Sequence, residues 1–570
     1  MHSDSNLHPK VWNILHREQV VEEELSRLLP MSRTVCRILV NRGIQDLHSA
    51  HAFLEPDLSD LHDPSLMDGV DWGVARTRKA IEQGEKIMVH GDYDVDGITS
   101  TALLVRVLRL MGADVTAYIP HRLREGYDLG IAGVETACEQ GVKLIITVDC
   151  GTSAVKGIGR ARELGIDVIV TDHHEVGREI APANVVINPK KPGCPYPFKD
   201  LAGVGVAFKF AEALVRESGY DVSVYRRRFA DLAAVGTVAD VVPLLGENRI
   251  LVKTGLEELP RTGKKGLRAL LEVSGLGNSK ITSHNLAFGL GPRMNAAGRL
   301  DHASVALDML LTTDEGEARR LAQQLDATNR ERQAEQERIS AEALAAITDM
   351  RLDETAKVFV LSSQGWHPGI VGIVASKITD RYCRPSILVA VDDTGIAGVG
   401  SARSIAAFDL FEALGQCGHF LDRFGGHKRA AGLSIQTDKL KDFTDAMNRI
   451  AGEVLTETDL MPQLDVDAEL KLSSVTMDLA QELQYLEPYG FGNREPIFMS
   501  KNIPLIQKTR MGSTGSHLRL KLSGGSNSMV ECVAFGWGDK DESLQLGSLF
   551  DVCYNIQVNQ FAGNENVQAV

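Results

Sequence analysis

Short runs of β-branched residues alternate with helical stretches from Lys86 onward, and this alternation constrains the fold more than any other feature. The runs are KIMV, DVTAYI, KLIITV, DVIVT and NVVIN, and the segments between them have residue patterns that predict helices. Such alternation is typical of a parallel sheet whose strands are joined by crossover helices. We therefore predict an α/β domain built around a parallel sheet.

Acidic and imidazole side chains stand at the ends of these predicted strands. HGDYDVDG (90–97) directly follows KIMV, Asp149 ends KLIITV, and DHH (172–174) ends DVIVT. Asp240, in GTVADVVPL, follows a helical stretch, with Asp231 as a weaker rival for the same role. In an open parallel sheet the carboxyl ends of the strands line one crevice. The sequence therefore predicts that these four segments converge on one site.

HGDYDVDG has two other interpretations. Asp92, Asp94, Asp96 and Gly97 match the first half of an EF-hand calcium loop, but Leu103 stands where that loop requires a bidentate glutamate. A plain turn with solvated aspartates is the second alternative. The repetition of the same placement at several strand ends argues against it. A mixed oxygen and imidazole donor set fits Mn²⁺ or Mg²⁺ better than a thiolate zinc site.

Taken in order, these segments resemble the DHH phosphoesterase family, which is named for the triplet Asp172, His173 and His174. The resemblance implies two divalent cations, with Asp149 as the bridging ligand. It implies ligands to one ion from His90, Asp94 and Asp149, and ligands to the other from Asp96, Asp149, His173 and Asp240. It places Asp92 and Asp172 beside the ligands and turns His174 toward the scissile phosphate. Two ions about 3.5 to 4 Å apart can activate water and neutralise the leaving oxygen of a phosphodiester.

A glycine-rich segment further along, RFGGHKRAAG (423–432), resembles the GGH signature of the DHHA1 domain that accompanies DHH domains. Its glycines would let backbone amides approach a phosphate closely, and the following cations would neutralise it. A structural turn is the alternative for the motif taken alone. The phosphate-binding residues predicted in this region are Gly425, Gly426 and His427, together with Ser401 and Arg403 of GSARSI.

Two arginine-bearing segments are further candidates for contacts with nucleic acid. LGPRMNAAGRLDHAS supplies Arg293, Asn295 and Arg299 among small residues, and HRLREGY supplies Arg122 and Arg124 after a predicted strand. Arginines among small residues can reach phosphates in a bidentate manner. An ion pair at a helix start is the alternative for the first segment.

The pattern of apolar, charged, glycine and proline residues along the chain predicts five regions. A charged stretch without proline, and without glycine after Gly316, predicts one long helix that spans roughly 50 Å. Asp314, three places before Glu317, resembles its cap. Alternating strands with Gly and Ser turns after Pro462 predict an OB-like β-barrel. The predicted regions are an N-terminal helical segment (1–80), a DHH catalytic domain (81–313), a connecting helix (314–351), a second α/β domain of DHHA1 type (352–455) and an OB-like domain (456–570).

Composition narrows the class of protein. The formal net charge of −15 over 570 residues argues against a protein that coats nucleic acid non-specifically, although it allows a local basic channel. The polar start of the chain and the lack of a long apolar run predict a cytoplasmic protein. Eight scattered cysteines without a CxxC pair predict reduced thiols.

The activity follows from the resemblance alone. The predicted order of domains is that of the DHH enzymes that degrade single-stranded DNA. The resemblance therefore implies metal-dependent 5′ to 3′ hydrolysis of single-stranded DNA to mononucleotides in recombination and repair. It also implies a single-strand-binding protein and a helicase as partners. A DHH enzyme acting on very short oligonucleotides or cyclic dinucleotides is the first alternative, and a non-catalytic scaffold is the second. The presence of all the predicted ligands disfavours the scaffold.

Overall fold

The computed structural model describes residues 10–122, 124–177, 179–277, 279–525, 528–561 and 564–570. Contacts divide the chain into two compact units. The first unit contains Met1–Gly43, Glu331–Gln484 and Pro496–Val570, and the second contains Ile44–Arg330 and Tyr485–Glu495. Within the described ranges, no helix is long and apolar enough to cross a membrane.

The strands of the described residues are numbered in chain order. They are β1 Val11–Ile14, β2 Ile87–Gly91, β3 Val115–Tyr118, β4 Leu144–Val148, β5 Asp167–Thr171, β6 Val185–Ile187, β7 Phe359–Gln364, β8 Ser386–Val391, β9 Ala397–Arg403, β10 Leu421–His427, β11 Ala430–Gln436, β12 Gln463–Val466, β13 Ala468–Glu469, β14 Phe498–Met511, β15 His517–Ser523, β16 Met529–Ala534, β17 Leu549–Tyr554, β18 Ile556–Phe561 and β19 Asn564–Ala569.

The α-helices are numbered in the same way. They are α1 Gln19–Leu28, α2 Arg33–Asn41, α3 Leu47–Leu54, α4 Val70–Glu82, α5 Val95–Leu110, α6 Ile131–Glu139, α7 Val155–Glu163, α8 Gly203–Glu217, α9 Val222–Ala239, α10 Gly246–Glu258, α11 Lys265–Val273, α12 Ser283–Asn285, α13 Gly291–Leu300, α14 Ser304–Leu311, α15 Glu315–Asp349, α16 Leu352–Thr355, α17 Val371–Tyr382, α18 Leu410–Gln416, α19 Leu440–Val454 and α20 Met477–Gln484.

The second unit contains the predicted parallel sheet. Its strand order is β3-β2-β4-β5-β6, and every neighbouring pair is parallel. Alternate residues of a strand enter opposite cores: Ile87 and Val89 pack with α5 and α8 on one face, whereas Met88 packs with α6 and α7 on the other. Burial on both faces explains why these strands read as unbroken apolar runs. The α/β prediction is confirmed for this part of the chain.

The first unit contains a mixed five-stranded sheet of order β10-β11-β9-β8-β7. Only β7 and β8 run parallel, and the remaining pairs are antiparallel. α18 and α19 supply apolar side chains such as Leu414 and Phe443 to the core beneath this sheet. This region is α/β, as the sequence predicted, with the Gly-rich segment forming the hairpin β10–β11.

The C-terminal strands of the first unit form a curled sheet around β14. This strand is 14 residues long and pairs with β17 and β13 near its start and with β15 further on. The pairing register shifts between Ser500 and Ile503 and again between Leu505 and Gln507, which bends the strand. Bending of a long strand between two sets of partners is how a small barrel-like sheet closes.

The long helix predicted after residue 313 is α15, which has 35 residues. The Asp314 carboxylate accepts a hydrogen bond from the Glu317 amide at 2.7 Å, so the predicted cap is present. All eight cysteines carry free thiols, as their spacing predicted.

Candidate metal centre

The segment HGDYDVDG turns the chain from β2 into α5. His90 lies in the strand, and Asp94 caps the helix by accepting hydrogen bonds from the amides of Asp96 at 2.9 Å and Gly97 at 3.1 Å. A Cβ atom on Gly97 would lie 2.5 Å from the Asp92 carbonyl oxygen, so only glycine allows this tight return. The turn thereby delivers three aspartates to one end of the sheet.

The other strand ends bring their side chains to the same edge. Asp149 follows β4 with a left-handed backbone (φ 60°), and its amide donates to the Thr171 carbonyl at 3.0 Å. Asp172, His173 and His174 follow β5 directly. Asp240 ends α9, which packs against α5. The convergence predicted from strand order is therefore observed.

Potential ligand atoms lie close together at this edge. His173 Nε2 is 3.1 Å from Asp149 Oδ1, 3.6 Å from Asp240 Oδ2 and 4.0 Å from Asp96 Oδ2. Three overlapping groups have one ligand atom per residue, all within 4.8 Å of one another. These groups are Asp149, His173 and His174; Asp96, His173 and Asp240; and Asp92, Asp94 and Asp149.

Several of these atoms are buried without a hydrogen-bond partner among the described residues. They include Asp92 Oδ1, Asp149 Oδ1, Asp240 Oδ2 and His173 Nε2. A buried polar atom without a partner is costly, and its presence in a folded chain requires an explanation such as an ion. Carboxylate oxygens and imidazole nitrogens are the donors that Mn²⁺ and Mg²⁺ sites use. The residues present therefore fit a divalent-cation centre.

Charge at the cluster leads to the same conclusion. Burial raises the pKa values of Asp92, Asp149 and Asp240 far above the ordinary range, and neighbouring carboxylates raise them further. Burial, together with the charge of Asp94, raises the pKa of Asp96 to about 7. Burial lowers the pKa of His173 to about 3, so its imidazole is neutral and able to donate a lone pair. Crowded carboxylates of this kind are stabilised in their charged form by a cation.

Asp172 is arranged differently from the other aspartates. Its carboxylate accepts hydrogen bonds from the amides of Thr152 at 2.9 Å and His173 at 2.8 Å, and lies 2.8 Å from His174 Nδ1. Burial works against its ionisation, but these hydrogen bonds hold the pKa of Asp172 well below its usual value. The same contact raises the pKa of His174 despite burial. Asp172 therefore orients His174, whose side chain is 46% exposed.

His90 lies outside the three groups. Its Nδ1 is 3.7 Å from Cys150 Sγ, its ring stacks on Tyr118, and its Nε2 faces Gly133. Burial lowers the pKa of His90 to about 4. The structure likewise separates Asp231 from the cluster, because its carboxylate is paired with Lys264 at 2.8 Å.

Two of the predicted arginines lie beside the cluster. The Arg122 guanidinium lies 4.8 Å from the centre of the Tyr93 ring, and Tyr93 directly follows Asp92. Burial and Asp92 raise the pKa of Tyr93 to about 12, against the opposing charges of Arg122 and Arg299. Arg122 and Arg299 thus both lie close to the metal loop.

The other residues of this unit that were predicted to contact nucleic acid are Arg293, Asn295 and Arg124. Arg293 donates to Asp326 on α15 at 2.9 Å and to the Gly289 carbonyl at 2.8 Å. This is the ion pair at a helix start that the sequence left open. Asn295 is partly buried on α13, and Arg124 is exposed in the loop after β3.

The predicted phosphate-binding residues of the first unit lie together on three neighbouring strands. Gly425 of β10 pairs with Gly432 of β11, which pairs in turn with Ser401 of β9. In the same way, His427 of β10 pairs with Ala430 of β11, and Ala430 pairs with Arg403 of β9. Directly opposed residues share a face of a sheet, so Ser401, Arg403 and His427 project to the same side. Gly426 has φ 143°, and a Cβ there would lie 2.4 Å from the Ala430 carbonyl oxygen.

Two contributors were not identified from the sequence. The Tyr127 hydroxyl lies 3.0 Å from His174 Nδ1 and 3.2 Å from the Asp149 carbonyl oxygen. The amides of Gly203 and Val204, at the start of α8, donate to Asp96 at 2.7 and 2.8 Å. A single tyrosine at the end of HRLREGY carries no sequence signal for a contact with His174, and nothing local links Gly203 to Asp96.

Comparison with protein families assigns three regions of the chain. Residues 86–237 match the DHH family, N-terminal domain; residues 355–453 match the DHHA1 domain; and residues 466–570 match the RecJ OB domain. The predictions of DHH, DHHA1 and OB-like folds are therefore confirmed.

Individual relatives match over nearly the whole chain. The single-stranded-DNA-specific exonuclease RecJ of Bacillus subtilis (strain 168) is 39% identical, over 98% of this chain and 70% of that protein. The protein of the same name from Dickeya dadantii is 38% identical, over 97% of each. The crystal structure of RecJ in complex with Mn²⁺ from Thermus thermophilus superposes with a TM-score of 0.84 at 33% identity, covering 98% of this chain and 78% of that one.

Proposed function

Because the chain belongs to the RecJ family of single-stranded-DNA-specific exonucleases, we propose that the strand-end cluster is its hydrolytic centre and that it degrades single-stranded DNA from the 5′ end to mononucleotides. The observation that carries this proposal is a set of buried oxygen and nitrogen atoms that have no hydrogen-bond partner among the described residues; they belong to Asp92, Asp149, Asp240 and His173. The proposed substrate, single-stranded DNA, arises during DNA recombination and repair, the processes in which this family acts.

The cluster would hold two divalent cations of the Mn²⁺ or Mg²⁺ class. Asp149 is the proposed shared ligand, because it belongs both to the group with Asp92 and Asp94 and to the group with His173. The other group adds Asp96 and Asp240. His90 lies outside these groups, and its role as a ligand beside Asp94 is proposed from the resemblance to the DHH family. The chemistry that a bound pair supplies is activation of water and neutralisation of charge on the departing oxygen.

The chain's own side chains would orient the scissile phosphate. Asp172 fixes the ring of His174, and the exposed edge of that imidazole is proposed to face the phosphodiester. His174 carries a raised pKa, so it can hold a proton next to a negatively charged phosphate. Asp92 is proposed to assist from beside the ligands.

Strand recognition is assigned to cations on both units. Arg122, Arg124 and Arg299 are proposed to bind backbone phosphates near the cluster, with Arg293 and Asn295 supporting α13. In the first unit, the surface formed by Ser401, Arg403, Gly425, Gly426 and His427 is proposed to bind a further phosphate, since its glycines are exposed and the Arg403 guanidinium matches the charge of a phosphate. A single-strand-specific enzyme needs an unwound strand, so a helicase and a single-strand-binding protein are the proposed partners, and the cytoplasm is the proposed location.

The test is digestion of single-stranded DNA labelled at either end, in Mn²⁺, Mg²⁺ or EDTA. We expect metal-dependent release of mononucleotides from the 5′ end, with duplex DNA and RNA spared. Asp149→Ala should abolish hydrolysis, whereas Asp167→Asn, at the opposite end of the same sheet, should keep it. Turnover of dinucleotides without cleavage of longer strands would instead favour the small-substrate enzyme. Asp149→Ala activity within tenfold of wild type would contradict the assignment of the centre.

A further inference from the structure

A cavity of 570 Å³ lies at the end of α5 that is remote from the metal centre. α5 begins beside Asp96 in the cluster and ends at Leu110, with Arg106 and Arg109 in its last two turns. At 1.5 Å per residue, Asp96 and Arg109 are roughly 20 Å apart along the helix. All residues lining the cavity belong to the second unit, and the proposed hydrolysis uses none of them.

The lining is strongly cationic, although the chain as a whole carries a formal charge of −15. Asp231 and Glu258 are its acidic side chains. The cationic side chains that line it are Arg106, Arg109, Arg227, Arg228, Arg261 and Lys264.

Both carboxylates are already engaged. Asp231 accepts from Lys264 at 2.8 Å and from the Thr262 hydroxyl at 2.7 Å. Glu258 is paired with Arg261 at 2.9 Å and lies 3.4 Å from Arg227.

Three arginines are left without a carboxylate among the described residues. Arg106 Nε donates to the Leu310 carbonyl at 3.0 Å, so its charge is not neutralised there. No hydrogen bond or ion pair to the side chains of Arg109 and Arg228 is found in the described part of the chain, and both are exposed at the cavity. The three guanidinium groups therefore face one concave space, and none of them is in contact with a carboxylate of the described residues.

The pKa shifts of the buried Arg106 and Lys264 side chains indicate that the positive charges at the cavity lie close together. Burial lowers the pKa of Arg106, and Arg228 and Arg109 lower it further against the pull of Asp231. Burial also lowers the pKa of Lys264, against the pull of the Asp231 carboxylate, and Arg106 and Arg228 lower it further. The cations are thus close enough to repel one another, and a bound anion would relieve the repulsion.

We propose that this cavity binds a small phosphorylated ligand through a pyrophosphate group, as a nucleoside diphosphate or inorganic pyrophosphate would present. Planar guanidinium groups bind phosphate oxygens in a bidentate manner, and the volume lies in the range of small-molecule sites. Phe229 is 3% exposed and lies under Lys264, so the aromatic ring in the lining offers no open face for a base. Recognition therefore rests on the phosphates.

The test is calorimetric titration of inorganic pyrophosphate and ADP into the full-length, metal-free protein, so that neither the metal centre nor catalysis enters the readout. The double variant Arg109→Ala with Arg228→Ala removes two exposed side chains that have no hydrogen bond or ion pair within the described ranges, so folding should be unaffected. We expect it to weaken binding of both ligands about tenfold or more. Arg160→Ala, which removes an arginine from α7 outside the cavity, should bind as wild type does.

Three outcomes would overturn the proposal. Equal affinity of the double variant and wild type for pyrophosphate and ADP would exclude the cavity as a phosphate site. Loss of affinity only for a twelve-nucleotide single strand would make the cavity a DNA-backbone contact. Binding of a hexa-aspartate peptide that depends on the two arginines, without binding of pyrophosphate, would make it a docking site for an acidic protein segment.

Discussion

Asp149 shows how a single residue connects fold and chemistry. Its left-handed backbone, at φ 60°, is a conformation that aspartate adopts more readily than most residues but that still costs on the order of 1 kcal/mol. The bend carries the carboxylate from the end of β4 to within 3.1 Å of His173 Nε2, and the Asp149 carbonyl is 3.2 Å from the Tyr127 hydroxyl. Surrounding contacts therefore hold a locally unfavourable conformation in place because the site requires it.

Tyr127→Phe should lower kcat about ten- to a hundredfold and change KM little. The hydroxyl contacts His174 Nδ1 and the Asp149 carbonyl, so its loss removes one of the two contacts that hold the imidazole and leaves the contact with Asp172. The arginines proposed to bind the strand are unchanged. Steady-state rates on a 5′-labelled single strand would check this. A rise in KM at constant kcat would instead assign Tyr127 to strand binding, and an unchanged rate would remove it from the site.

At this scale the sequence predicted most of the cluster, because strand-end position follows from the alternation of strands and helices. It did not predict that His90 turns toward Cys150, since the choice of rotamer depends on the packing of Tyr118 and Gly133. It also did not predict Tyr127, whose hydroxyl reaches from the loop after β3 to the Asp149 carbonyl and to His174.

Two helix N-termini face the acidic cluster, and this is the main contribution of secondary structure to the site. α5 starts at the Asp94 cap, and the first amides of α8 donate to both oxygens of Asp96. The partial positive charge of a helix N-terminus stabilises nearby carboxylates. The sheet thus positions the acids, and the helices offset part of their mutual repulsion.

Gly203→Ala should disrupt the centre from the start of α8. A Cβ atom there would lie 2.5 Å from Asp149 Oδ1 and 2.6 Å from Asp149 Cβ, so either the helix or the proposed shared ligand must move. We expect activity to fall at least tenfold, with a loss of about 1 to 3 kcal/mol in the free energy of unfolding. Nuclease assays and thermal denaturation measure the two effects.

Gly159→Ala is the matched control for this substitution. Gly159 also lies in a helix of the same unit, but a Cβ there would meet no heavy atom within 4 Å. Replacing a helical glycine with alanine at an open position should raise stability by about 0.5 to 1 kcal/mol and leave activity unchanged. Equal behaviour of the two variants would show that the close approach to Asp149 does not matter.

The elements themselves were largely predictable, because apolar runs and the cap at Asp314 are local signals. The placement of Tyr485–Glu495 was not, because this segment joins the second unit through contacts distant in sequence. The Arg249 side chain is 1% exposed and donates to the carbonyls of Leu486 at 3.1 Å and Glu487 at 2.7 Å. A lone arginine in a helix gives no sign of such a role.

Charge is distributed unevenly over the whole molecule. A chain of net charge −15 acts on a polyanion, so its affinity must come from local cations rather than from an overall attraction. Arg122 and Arg299 are the cations proposed for this role. The acidic cluster makes DNA binding less favourable still, because its carboxylates repel the DNA backbone unless cations neutralise them. Metal binding should therefore matter both for the stability of the folded chain and for its chemistry.

Metal removal should lower the melting temperature of the full-length protein. The proposed Mn²⁺ ligands come from four separate segments, so the unfolded chain offers no comparable site. An ion that binds the folded state alone would stabilise it by about 2.7 kcal/mol at a hundredfold excess over Kd. Wild type in Mn²⁺ should therefore melt above wild type in EDTA. Asp149→Asn should lose most of that difference, because the proposed shared ligand loses its charge, whereas Asp167→Asn should keep it. An equal Mn²⁺ response in wild type and Asp149→Asn, measured by calorimetry without any substrate, would mean that the ions bind elsewhere and that the buried carboxylates are balanced in another way.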